Sequence, residues 1–163
     1  MLSEITGVSR HSIQAYCMGE HGDSQFIPVS HIQIGGIPVK EYLSIHPEYR
    51  DKMDFDKISA EDKVCGFHIV EGKGCTEFGI GAVAASIARA VFADDKKIFM
   101  LSAPLHGEYG HTGICAGVPA VVGQNGIEKV LEYDLTEEER EQFNQSCEKI
   151  RQGVCRAHEL MKE

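Results

Sequence analysis

The sequence predicts an α+β fold in which long helices pack on a twisted, mainly antiparallel sheet, as one domain over residues 1–163. Three observations carry that expectation. Three strand-like apolar runs, 98–105, 114–122 and 127–133, follow one another through short turns, which favours antiparallel neighbours. Two long helical patterns precede them and one follows, so helices and strands are segregated rather than alternating. No Ser/Pro-rich linker and no internal repeat divides the chain, and 163 residues are enough for a single core.

Taken in order, residues 2–8 read as a helix end stopped at Gly7. The apolar run 13–18 reads as a strand that leads into a polar loop, Gly19-Glu20-His21-Gly22-Asp23-Ser24. Glycines at 19 and 22 let that loop turn sharply and approach a ligand closely. His21 between them is of the residue type that gives or takes a proton near neutral pH. Asp23 is expected to tie the loop through backbone amides. Residues 26–29 and 32–34 alternate loosely, and Gly35-Gly36 before Ile37-Pro38-Val39 signals a hairpin.

Helical spacing then runs over 54–72 through Phe55, Ile58, Val64, Phe67 and Ile69-Val70. A second helix, 76–93, is apolar nearly all round and carries the small residues Gly79, Gly81, Ala82, Ala84, Ala85 and Ala88. Such a helix is expected to be buried on several sides, as the structural centre beneath the sheet. The three strand-like runs come next, with Asn125-Gly126 as a tight turn between the last two. In the final helix Thr136 and Glu139 form a capping box, acidic residues fill the first turn, and Phe143, Cys147, Ile150, Val154, Ala157 and Met161 make one stripe.

A net charge of -9 argues against nucleic acid or an anionic membrane surface as partner, since both require a basic face. No apolar run approaches the length of a membrane-spanning helix, and the first residues do not form a signal peptide. Cysteines 17, 65, 75, 115, 147 and 155 form no CxxC pair and are expected to be reduced thiols of a cytoplasmic protein. His106 and His111 flank Glu108, which with His21 suggests a metal site. Five residues and two glycines separate the two histidines, neither a helical pair nor a finger spacing, so no metal is expected. Residues 107–110 read instead as a turn between strands, anchored by Glu108 and Tyr109.

Gly19-Glu20-His21-Gly22-Asp23-Ser24 resembles the active-site histidine signature of NAD-dependent L-lactate dehydrogenases, within the lactate/malate dehydrogenase superfamily. The resemblance continues in the family's order through Lys73-Gly74-Cys75-Thr76, Gly107-Glu108-Tyr109-Gly110, Gly117-Val118-Pro119, Gly123-Gln124-Asn125-Gly126-Ile127 and Leu135-Thr136-Glu137-Glu138-Glu139. It covers nearly all of the chain and implies the family's C-terminal, substrate-binding domain, with no Rossmann domain here.

The resemblance implies that the complete enzyme interconverts L-lactate and pyruvate with NAD. His21 is then the acid that protonates the carbonyl oxygen, and the base in the opposite direction. Thr76, a good N-cap residue, would also wall the pocket of the small 2-hydroxy or 2-oxo acid. In the family, the aspartate that orients the histidine, the substrate-binding arginines and the N-terminal NAD-binding half all lie upstream of Met1. No cofactor is therefore expected on this chain alone, and the isolated chain is expected to be inactive. A homo-oligomer, dimer or tetramer, is implied as well. Gln14 stands where sugar-bisphosphate-activated relatives carry histidine, which argues against that activation. Neighbouring readings are a dehydrogenase of longer 2-hydroxy acids, of the hydroxyisocaproate type, and a malate dehydrogenase, which the loop and Thr76 fit less well. A reading of another class is a non-catalytic, self-associating domain.

Overall fold

The structure is a computed structural model and describes residues 1–162. Helix α1 (Leu2–Thr6) ends at Gly7, whose φ of 71° gives the left-handed cap that glycine accepts without strain. Strands β1 (Ile13–Gln14), β2 (Gln33–Ile34) and β3 (Ile37–Pro38) form a small antiparallel sheet in the order β1-β2-β3, with the Gly35-Gly36 turn where the sequence places it. Helix α2 (Val39–Ile45) follows, and Ile32, Ile34, Val39, Tyr42 and Met53 close a minor core around the hairpin.

The main sheet consists of β4 (Lys97–His106), β5 (Thr112–Gly123) and β6 (Gly126–Val130), antiparallel in the order β4-β5-β6. The turn into β6 is Gln124-Asn125, closed by the Gly123–Gly126 pair, with Gly126 at φ 85°. Along β5 the residues Ile114, Ala116, Val118, Ala120 and Val122 are buried, the period-2 signature of a sheet with one covered face. Over Ile114, Ala116 and Val118 the cover is α5 (Glu137–Leu160), whose Phe143 and Cys147 join them with Met18, Phe26, Leu105 and Leu135 in the main core. The α5 capping box forms as the sequence predicts: Glu139 N–H donates to Thr136 Oγ1 at 3.2 Å, and the Thr136 N–H donates to Glu139 Oε2 at 3.0 Å.

Three details differ from the sequence expectation. The strand expected over 13–18 stops at Gln14. Beyond it the chain crosses from the small sheet to the main one, making single bridges Met18–Phe26 and Gly19–Gly117. Those bridges are possible because β6 pairs only with the end of β5, leaving the β5 edge at Gly117 unclaimed. The third strand is likewise shorter than 127–133 and ends at Val130.

The largest correction concerns α4 (Glu77–Ala93), expected at the buried centre. Of its residues only Ala90 is buried, while Phe78 is 74% and Phe92 90% exposed. Helix α3 (Phe55–Lys73) behaves alike, with Ile58 buried and Val64, Phe67, Ile69 and Val70 open to solvent. The two helices are bent by 120° at the break between them. Both are apolar as expected, but among the described residues β5 meets α4 along one side only, where Ala90 is buried, and most of the apolar surface of both helices stays open. Among the described residues no single helix is long and apolar enough to cross a membrane.

Candidate active site

The His21 loop is held by main-chain geometry before any side chain acts. Met18 and Phe26 exchange backbone hydrogen bonds of 2.9 and 3.2 Å, closing its neck. Gly19 and Gly117 exchange two more, of 3.0 and 2.7 Å, which fasten the loop to β5. Side chains are excluded at that contact, because a Cβ on Gly117 would stand 3.0 Å from the Gly19 carbonyl oxygen. At Gly19 the backbone is left-handed, with φ 89°.

Glu20 then organises the turn. Its carboxylate accepts from both the N–H and the hydroxyl of Ser24 and lies 3.2 Å from Lys149 Nζ of α5. The Ser24 hydrogen bond, helped by Lys149, holds this carboxyl below the usual range, so it is ionised at neutral pH. Its backbone N–H donates to Ser146 Oγ of α5 at 2.7 Å. The tying role expected of Asp23 therefore belongs to Glu20. Asp23 is fully exposed, and among the described residues its carboxylate meets only Lys149, at 3.6 Å.

His21 is exposed on this loop and lines an open cavity of about 380 Å³ with Gln25, Met100, Cys115 and Ile150. Below it, Asp62 of α3 accepts from the Cys17 thiol at 3.0 Å and from Gln25 Nε2 at 2.8 Å. Burial and the Asp62 carboxylate push the Cys17 thiol up to about 12, so it is an inert, protonated donor. Thr76 occupies the N-cap position of α4 without a side-chain capping bond, is exposed, and does not line this cavity.

The second histidine cluster is structural. Glu108 accepts from His106 N–H at 2.6 Å, and Tyr109 Oη donates to Leu131 O at 3.0 Å while accepting from Tyr133 N–H at 2.8 Å. His111 Nε2 pairs with Asn144 Oδ1 at 2.8 Å. These contacts make 107–110 an anchored turn, and among the described residues no His/Cys/Asp/Glu group is placed to hold a metal ion.

Nor do the described residues form a dinucleotide cradle. Such a cradle needs a glycine loop between a strand and a helix N-terminus, and Gly79-Ile80-Gly81 lies inside α4. What the arrangement offers is an acid–base side chain displayed on a rigid loop beside an open cavity. The flanking glycines place His21 on a turn in the sequence as in the structure, whereas the contacts of Ser146 and Lys149 leave no trace in the sequence, since their helical spacing on α5 gives no sign of what they face.

The family model described as lactate/malate dehydrogenase, alpha/beta C-terminal domain, matches residues 1–160. The chain is 40% identical over 147 residues to an L-lactate dehydrogenase of Fusobacterium nucleatum, covering 90% of this chain and 46% of that protein. It is 41% identical over 151 residues to L-lactate dehydrogenase 3 of Bacillus cereus, covering 93% and 48%. Among solved structures it resembles the lactate dehydrogenase of Eimeria maxima with NADH and oxamate (TM-score 0.90, 29% identity, 99% of this chain and 50% of that one). It also resembles the malate dehydrogenase of Aeropyrum pernix (TM-score 0.82, 32% identity, 94% and 49%). The chain thus spans about half the length of the curated relatives it matches. With its helices packed on antiparallel sheets and its histidine loop between them, the chain belongs to the lactate/malate dehydrogenase family and is that family's alpha/beta C-terminal domain.

Proposed function

We propose that this domain supplies the acid–base and substrate-facing half of an NAD-dependent L-lactate dehydrogenase. The observation that carries the reading is His21, held on the Gly19–Ser24 loop against β5 and α5 beside an open cavity. In the direction of lactate formation its protonated imidazole donates to the carbonyl oxygen of pyruvate, and in reverse it removes the hydroxyl proton. This chain accounts for the proton and not for the hydride, because among the described residues none forms a glycine loop that could cradle a dinucleotide. NAD, the carboxylate-binding arginine and the aspartate that orients His21 belong to a partner half in the complete enzyme. Thr76 at the head of α4 would wall the substrate pocket once that half is in place. The lactate reading draws support from relatives named L-lactate dehydrogenase. Similarity to a malate dehydrogenase keeps longer or dicarboxylic 2-hydroxy acids as the second reading. Six free thiols suit a reducing, cytoplasmic setting.

The test is NADH oxidation with pyruvate. The chain alone is expected to give none, because catalysis by positioning needs hydride donor and carbonyl held together. Joined to a dinucleotide-binding half it is expected to turn over, and His21→Ala then to lower the rate about 10²–10⁴-fold. Near-normal turnover in His21→Ala removes His21 from the mechanism.

A further inference from the structure

His21 is exposed, so no packing fixes its ring, and the backbone of its loop decides where it stands. A closed circuit of hydrogen bonds holds that backbone on both sides of the histidine. The Glu20 N–H donates to Ser146 Oγ at 2.7 Å. The Ser24 hydroxyl donates to the Glu20 carboxylate. The Ser146 hydrogen is then directed at Ser24 Oγ, 3.1 Å away. The circuit begins and ends on Glu20 and spans His21, Gly22 and Asp23. Lys149, nearly one turn further along α5, braces the same carboxylate at 3.2 Å.

Ser146 is the joint of this circuit. It has no exposed surface and sits on the α5 face beside Phe143 and Cys147, where an unbonded hydroxyl would cost free energy. Its Oγ fills the hollow that Gly19 leaves, since a Cβ on Gly19 would stand 2.3 Å from it. The hydroxyl therefore serves the loop, across a sequence separation of 126 residues from Glu20.

We propose that Ser146 is a positioning residue for His21, and that the Glu20–Ser146–Ser24 circuit sets the imidazole where a proton can pass to the substrate oxygen. The proposal rests on the reading of His21 as the acid–base group. General acid–base catalysis demands hydrogen-bond distance to the reacting oxygen, and displacing the group by about 1 Å can cost about 10²-fold in rate.

The test compares Ser146→Ala, Ser24→Ala and His21→Ala in the complete enzyme, with the exposed neighbour Gln145→Ala as control. Hydrogen exchange at the Glu20 amide is the second readout. Ser24→Ala opens the circuit from the loop side and leaves the packed face of α5 intact, so it decides the matter if Ser146→Ala fails to fold. Both circuit variants are expected to lose about 10²-fold in kcat with a much smaller change in KM for the 2-oxo acid. The Glu20 amide is expected to exchange about tenfold faster in Ser146→Ala. Wild-type kcat in Ser24→Ala and in folded Ser146→Ala, alongside an inactive His21→Ala, overturns the proposal and leaves the role of His21 standing. An active His21→Ala overturns both.

Discussion

At the scale of single residues, the site depends on side chains that are absent as much as on those present. Gly19 combines a left-handed φ of 89° with a Cβ position already filled by Ser146. Gly7 has a similar φ of 71° but open space around its Cβ position. Gly7→Ala is therefore expected to show backbone strain alone, about 1–2 kcal/mol. Gly19→Ala should cost more, by about 1–3 kcal/mol of overpacking on top. Urea midpoints of the two variants at equal slope measure the difference directly. Equal losses would mean that the Gly19–Ser146 contact relaxes freely. The glycine itself was legible in the sequence as a turn residue, whereas its partner on α5 was not.

At the scale of elements, α5 is the member whose sequence and structure agree best, and its first turn does more than cap a helix. Glu139 is buried, and its carboxylate accepts from Thr136 N–H at 3.0 Å, Ser30 N–H at 2.9 Å and Ser30 Oγ at 2.5 Å, so the cap also clamps the 29–31 turn. Burial is the largest single influence and pushes this carboxyl up, but the hydrogen bonds from Ser30 and Thr136 together outweigh it and the net shift is downward. A folded pKa below the unfolded one gives stability that is present above the ordinary carboxylate range and is lost as pH falls through the lowered value. Glu20 acts with the same sign. Glu139→Gln is expected to cost about 1–3 kcal/mol at neutral pH, and the gap to wild type should narrow on acidification to about pH 3. Thermal melts of both proteins across that range check it. Parallel pH profiles would show that the Glu139 charge is not what the clamp uses.

At the scale of the whole molecule, the main feature is the uncovered apolar surface of α3 and α4. Phe67, Phe78, Ile80, Val83 and Phe92 all stand open, and soluble monomers seldom keep large apolar patches exposed. Self-association is the expected consequence, in line with the dimer or tetramer that the family resemblance implies. Sedimentation equilibrium of the isolated chain at micromolar concentration should give at least a dimer, and Phe78→Asp with Phe92→Asp should weaken it. A monomer of 18.0 kDa with no concentration dependence defeats the expectation.

What the sequence determined by itself was local. Period-2 and period-3.6 patterning placed β4, β5, α3, α4 and α5 to within a few residues, glycines marked the turns, and Thr136 with Glu139 fixed the start of α5. The family was legible too, because the His21 loop and the motifs after it keep their order along the chain. Tertiary structure alone decided which apolar faces are covered: α5 and α4 both meet β5, but α5 buries Phe143 and Cys147 there, while α4, richer in apolar residues, leaves Phe78, Ile80, Val83 and Phe92 open. It also decided that Glu20 rather than Asp23 ties the loop, and that Ser146 reaches it from α5. The physical reason is that spacing along a chain reports only which residues share a face. Which surface that face meets is settled by long-range packing, for which a single strand or helix carries no signal.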